Sequence, residues 1–235
     1  MKTVREILAV LISLCFLVVL FFTALQISIF NRPYVYREMR KYDIPRVLSM
    51  SEAGVDRLFD ETLRYLSDDR EDLVIEVEVA GVKREAFDER EKLHMVDVKE
   101  LFRKGFLIRN VGTGLLIVLL LIWIFSRFPE RSRSLSRATV LTWGVILLCF
   151  TILVIYVVGH FDTAFIRFHE IFFDNDLWLL DPDVSLMINM LPEEFFFDTA
   201  MRIGLIFGVP FVLLFIGSLI GWLRSGRPKR AEVSG

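Results

Sequence analysis

Long apolar stretches alternate with charged ones along this chain. Residues 7–30, 106–125, 138–159 and 203–223 are almost purely apolar. Each is about 20 residues, the length an α-helix needs to cross ~30 Å of hydrocarbon. Inside lipid every backbone amide must be paired within its own segment, so these stretches predict transmembrane helices. Arg109 and Asn110 fall near one end of the second, where their polar groups can reach the headgroups. The first stretch is too long for the apolar part of a signal peptide, and no small-x-small cleavage site follows it. It is expected to be an uncleaved anchor, ended by Arg32-Pro33.

The polar segments carry their own periodicities. In residues 51–67, Val55, Leu58, Phe59, Thr62, Leu63 and Leu66 recur at i, i+3, i+4 spacing, which predicts an amphipathic helix with Ser51 as N-cap. Residues 73–80 alternate and predict a strand or extended edge. Residues 85–104 return to helical spacing, in a pattern able to run into the second membrane helix. The fold class expected is therefore mainly α: a polytopic membrane protein with four transmembrane helices and a small extracytoplasmic α(+β) domain from the first outer loop. In order, the segments are helix 7–30, outer domain 31–105, helix 106–125, inner loop 126–137, helix 138–159, outer loop 160–202, helix 203–223 and inner tail 224–235.

Charge distribution sets the sidedness. Lys2, Arg5, Arg127, Arg131, Arg133, Arg137, Arg224, Arg227, Lys229 and Arg230 cluster in the N-terminus, the 126–137 loop and the tail, and the positive-inside rule makes that side the cytoplasm. The net charge of −2 carries no such information. Hydrophobic residues make up 54% of the chain and mean hydropathy is +0.51, in keeping with membrane helices. The two cysteines, Cys15 and Cys149, lie in apolar helices, so neither a disulfide nor a cysteine nucleophile is expected in the outer loops. The basic residues read as cytoplasmic anchors, and nucleic acid is not an expected partner.

The 160–202 loop is unusual in two ways. Nine acids against Arg167 and Arg202 leave it at −7, yet it also holds nine aromatic rings. Rings interleaved with charges suit a headgroup zone, where apolar faces enter lipid and polar edges stay wet.

The chain has three histidines, His94, His160 and His169, all assigned to the outer side. Histidine titrates near neutral pH and can take and return a proton there. On a helix, Asp97 shares a face with His94 and can tune it. Glu170 follows His169 directly, so on a helix the two side chains point about 100° apart. Asn175 is a neutral donor that could serve an oxyanion. His160 is expected at the interface. The acids around His169 match no metal-ligand spacing, and no metal or cofactor is expected. There is no Gly-x-Ser-x-Gly, His-Glu-x-x-His, P-loop or dinucleotide fingerprint.

The run Phe168-His169-Glu170-Ile171-Phe172-Phe173-Asp174-Asn175-Asp176-Leu177-Trp178-Leu179-Leu180-Asp181-Pro182 resembles a signature of a bacterial membrane family, the lipoprotein intramolecular transacylases. His94-Met95-Val96-Asp97-Val98 and Leu191-Pro192-Glu193-Glu194-Phe195-Phe196-Phe197-Asp198 share the resemblance, which covers most of the chain. It implies an enzyme of the bacterial cell membrane that moves the sn-2 acyl chain of a diacylglyceryl-cysteine lipoprotein onto the α-amino group of the same cysteine. The product is a lyso-form lipoprotein. The resemblance implies His94 and His169 as catalytic, and diacylglyceryl-modified lipoproteins and membrane lipids as partners. Two other readings use the same residues: a membrane lipid or ester hydrolase, with or without a metal, and a non-enzymatic sensor or scaffold.

Overall fold

The computed structural model describes residues 2–126, 128 and 130–225. Arg127, Arg227, Lys229, Arg230 and the side chain of Arg131, all counted above among the cytoplasmic bases, lie outside the described residues. In chain order the elements are α1 (Lys2–Ile29), α2 (Arg32–Lys41), α3 (Ile44–Val47), α4 (Glu52–Leu66), β1 (Glu76–Val79), β2 (Val82–Glu85), α5 (Glu89–Phe125), α6 (Arg131–Gly159), α7 (Phe161–Phe172), α8 (Leu186–Met190) and α9 (Glu193–Ser225). Four of them, α1, α5, α6 and α9, are long and apolar enough to cross a membrane. The mainly helical class read from the sequence is thus the observed one.

The chain divides into two compact units. One gathers the described parts of residues 1–22, 109–155 and 205–235. Ala9 and Ile12 pack there with Leu116, Leu119, Trp123 and Ala138. Lipid tails are as apolar as these side chains, so helix association relies on close packing and interhelical hydrogen bonds. Both are present. Ser13 and Thr139 share a 2.9 Å hydrogen bond, the Trp143 indole donates to the Ser13 carbonyl at 3.1 Å, and Ser134 donates to Glu6 at 2.7 Å. Trp143 also stacks on Phe16 and on Phe211.

The other unit comprises residues 23–108 and 156–204. Its core joins α2, α4 and the β1–β2 hairpin to Met95 of α5 and to Leu186, Met187, Met190 and Phe195. Helix α4 forms where the spacing placed it. Ser51 accepts from the Gly54 N–H as N-cap, and the predicted face of Val55, Leu58, Phe59, Thr62, Leu63 and Leu66 is buried. Arg32-Pro33 does more than follow α1. Pro33 lies in the first turn of α2, where its missing N–H costs nothing, and Asn31 caps that helix through the Tyr34 N–H.

The extended segment pairs with a strand the pattern did not reveal. β1 and β2 are antiparallel, with Glu76 opposite Glu85 and Val79 opposite Val82. The two-residue turn between them holds both Ala80 (φ 51°) and Gly81 (φ 81°) left-handed, the turn whose twist suits a tight hairpin. β2 is exposed throughout and shows no alternation, so the helical reading that began at residue 85 starts four residues late, at Glu89. That start is a capping box. Asp88 Oδ1 accepts from the Glu91 N–H at 2.8 Å, and Glu91 Oε2 accepts from the Asp88 N–H at 2.7 Å.

Glu91 has a second task. It is buried, and its other oxygen accepts from the Ser185 hydroxyl at 2.5 Å and from the Met187 N–H at 2.9 Å. One carboxylate therefore holds the start of α5 to the start of α8. Glu91→Ala would leave two buried donors and one half-buried donor without this acceptor and is expected to cost about 3 kcal/mol. Thermal unfolding of the purified protein in detergent should show a clear drop against Glu89→Ala, an exposed neighbour; equal melting temperatures would contradict this role.

Several acids of the 160–202 segment meet bases from the 31–105 segment. Asp198 pairs with Lys41 and accepts from Tyr42, and Asp176 pairs with Arg90. Its aromatics are similarly divided. Phe173 and Phe195 are buried, whereas Phe168 and Phe172 are largely exposed.

Candidate active site

His94 sits on α5, about 18 Å of helix before Phe106 at ~1.5 Å per residue. His169 sits in the last turn of α7. Their rings lie 6.1 Å apart, centroid to centroid, and both are buried. Two imidazoles 75 positions apart in sequence thus lie side by side. Phe173, which ends α7, lies beside both at 5.2 Å from His94 and 5.6 Å from His169.

His169 is held on several sides. Its Nδ1 meets the Phe165 carbonyl one turn back at 2.8 Å. A carbonyl only accepts, so Nδ1 carries the proton and Nε2 keeps a lone pair. The Trp178 indole stacks on the ring at 4.8 Å and 27°, and Phe165 packs at 4.4 Å. His94 differs. Its Nδ1 is buried and has no hydrogen-bond partner among the described residues.

Both rings favour the neutral form. Burial, then the neighbouring His169, pushes His94 down to about 4, with Asp97 pulling weakly the other way. Burial also lowers His169, opposed by its bond to Phe165. A histidine lowered on folding binds fewer protons in the native state. The stability this contributes is present above about pH 6.5 and is lost as pH falls toward 4.

Not every residue singled out in the sequence joins the pair. Glu170 is exposed and pairs with Arg167 at 2.6 Å, away from His169 as the helical angle requires. His160 precedes α7 and stacks on Tyr156. No hydrogen bond joins Asp97 to His94 among the described residues; Asp97 instead accepts from Asn175 Nδ2 at 2.8 Å. Arg90, which the sequence did not single out and which shares α5 with Asp97, pairs with Asp176. A lone charge in a helical pattern gives no hint of its partner 86 residues away. Asp97, Leu101, Phe172, Phe173, Asp174 and Asn175 line a cleft of about 210 Å³ on the same two elements. Among the described residues, no three His, Cys, Asp or Glu side chains come together as a metal site.

A buried pair of neutral imidazoles offers one lone pair for a proton and one N–H for a developing oxyanion or leaving oxygen. That is the equipment of acyl transfer. A family model described as lipoprotein intramolecular transacylase Lit matches residues 10–196. The in meso structure of the membrane integral lipoprotein intramolecular transacylase Lit from Bacillus cereus is similar in fold, with a TM-score of 0.68 at 20% identity over 96% of this chain and 95% of that one. A structure of the same Bacillus cereus protein carrying a histidine-to-arginine mutation gives 0.69 at 19% identity, over 95% and 94%. One with a histidine-to-alanine mutation gives 0.69 at 19%, over 95% and 96%. No curated protein sequence matches the chain. With the family model spanning most of its length, the chain belongs to the lipoprotein intramolecular transacylase Lit family, and is an integral membrane enzyme that acts on lipoproteins.

Proposed function

We propose that this enzyme moves the sn-2 acyl chain of a diacylglyceryl-cysteine lipoprotein onto the α-amino group of the same cysteine. The observation that carries the reading is the 6.1 Å approach of His94 and His169, both buried. Exchange of an ester for an amide is downhill and needs no energy source. Donor and acceptor on one molecule also avoid the entropic cost of bringing two reactants together.

His169 acts as base. Its fixed tautomer leaves Nε2 to take the proton from the attacking nitrogen. A weak base suffices there, because that nitrogen becomes far more acidic once bonded to the carbonyl carbon. The new C–N bond forms, and the tetrahedral oxyanion collapses with loss of the glyceryl oxygen. His94 donates a hydrogen bond to the oxyanion, and the proton taken up by His169 passes to the leaving glyceryl oxygen, directly or through His94, so both imidazoles end neutral. A low-pKa imidazole is the better N–H donor for this task. Glu170 has no part in this, and Asn175 keeps one Nδ2 hydrogen beyond the one given to Asp97. Exposed Leu93, Val96, Phe168 and Phe172 around the pair provide apolar surface for the acyl chain. The termini face the cytoplasm and the histidines face outward, where lipoproteins display their modified cysteine. Lys2, Arg5, Arg133, Arg137 and Arg224 support that orientation.

The pH dependence follows in sign. A free α-amine has a pKa near 7.7–8.0. Both histidines stay neutral below their ordinary value. The rate should therefore fall with unit slope below about pH 8, with no second break near 6.5; a change to slope two near 6.5 in initial rates would contradict it. The reading as a whole is tested by expressing the protein in a bacterial host lacking its own lipoprotein N-acylation. Mass spectrometry of lipoprotein N-termini should then show N-acylated lyso-forms. Deacylated termini with a free amine would favour a hydrolase, and unchanged diacylglyceryl termini a non-enzymatic role.

A further inference from the structure

We propose that Asp97 is a positioning residue for His169, acting through Asn175 and Trp178 rather than by tuning His94 on its own helix. The inference rests on the reading of His169 as base. Three hydrogen bonds tie Asn175 into one small structure. Nδ2 donates to Asp97 Oδ2 at 2.8 Å, Oδ1 accepts from the Leu177 N–H at 3.0 Å, and its carbonyl accepts from the Trp178 indole N–H at 3.0 Å. That indole lies face to face with His169. The chain of contacts thus runs from α5 through the turn after α7 and back onto the ring that α7 presents.

The turn needs an external anchor. Residues 173–178 lack regular structure and Trp178 is partly exposed; inside the turn the order comes from the Asn175 bonds and from the Leu179 and Leu180 N–H groups donating to the Asp176 and Trp178 carbonyls. The anchors both come from α5. Arg90 donates to the Asp176 carbonyl and pairs with its carboxylate at 3.3 Å, and Asp97 holds Asn175 two turns further on. The bond from Nδ1 to Phe165 defines one edge of the His169 ring, and the Phe165 and Phe173 rings pack on it at 4.4 and 5.6 Å. The indole stacks on the face of the ring at 4.8 Å and adds to these restraints, which together keep Nε2 aimed. Displacement of a catalytic group by about 1 Å can cost up to 10²-fold.

The acceptor on Asp97, not its charge, is what the relay uses, and this separates it from charge tuning of His94. Asp97→Ala and Asn175→Ala should each lower kcat about 10- to 100-fold with KM within about twofold. Asp97→Asn keeps an acceptor and should stay within about threefold of the parent. The full chain, labelled with 5-fluorotryptophan and followed by fluorine NMR in detergent, gives an activity-independent readout. The Trp178 line, identified by its loss in Trp178→Phe, should move as His169 titrates in the parent and in Asp97→Asn. In Asp97→Ala and Asn175→Ala it should not. Parent-like kinetics and titration in both alanine variants would overturn the relay. So would equal loss in Asp97→Asn and Asp97→Ala, which is the mark of charge tuning. Should His169→Ala keep full activity, the base assignment falls, while the fluorine titration still decides whether Asp97 fixes the indole on the ring.

Discussion

Replacing His169 with alanine is expected to lower lipoprotein N-acylation on the order of a thousandfold, the middle of the range for loss of a general base. The size follows from how specialised the group is. Its tautomer is set by the Phe165 carbonyl, its plane by Trp178, and burial keeps it unprotonated at neutral pH. Among the described residues the other imidazole beside it is His94, which stands 6.1 Å away. His169→Gln keeps a polar amide but no base, and should lose as much. A time course of N-acylated product by mass spectrometry, with equal protein in the membrane, reads the effect. Activity within tenfold of the parent would remove His169 from the proton transfer.

His94→Ala is the second large effect, expected at about 10²- to 10³-fold, the scale of a lost oxyanion donor. Its buried Nδ1 has no partner among the described residues, which is costly unless the site uses it. The two changes should not add. Once either imidazole is gone, the other has no half-formed transition state to act on, so the double variant should be no slower than the slower single one. His94→Gln provides a partial check of role. An amide donor in that place should recover some activity if His94 donates a hydrogen bond, and none if it must carry a proton. Additive losses in the double variant would mean that the two rings serve separate steps.

Much of this arrangement was legible in the chain. The four apolar stretches needed only their length, and Ser51 with the face from Val55 to Leu66 needed only helical spacing, because local physics decides both. His94 and His169 stood out because of the motifs around them. What stayed hidden was pairing at long range. β2 has no alternation to betray it, since both its faces are exposed. Nothing in the local pattern marked Glu91, because its bonds to Ser185 and Met187 reach more than ninety residues away. Asp97 was assigned by helix geometry to His94, three residues back. The tertiary fold offered its carboxylate a neutral amide donor in Asn175, and a hydrogen bond to that donor costs no proton on a buried imidazole. The aromatic wealth of the 160–202 segment suggested a lipid-facing belt, yet Phe173 and Phe195 are core residues.

The most direct test uses two synthetic diacylglyceryl-cysteine lipopeptides in one vesicle preparation with the purified enzyme. One bears deuterium only on its sn-2 chain; the other is unlabelled in its lipid but heavy in its peptide. The account predicts that every N-acylated deuterated-donor peptide carries the heavy chain on nitrogen, and that no heavy peptide acquires it. Deuterated chains on the heavy peptide, or unlabelled sn-1 chains on the nitrogen of the first, would contradict transfer within a single molecule from the sn-2 ester.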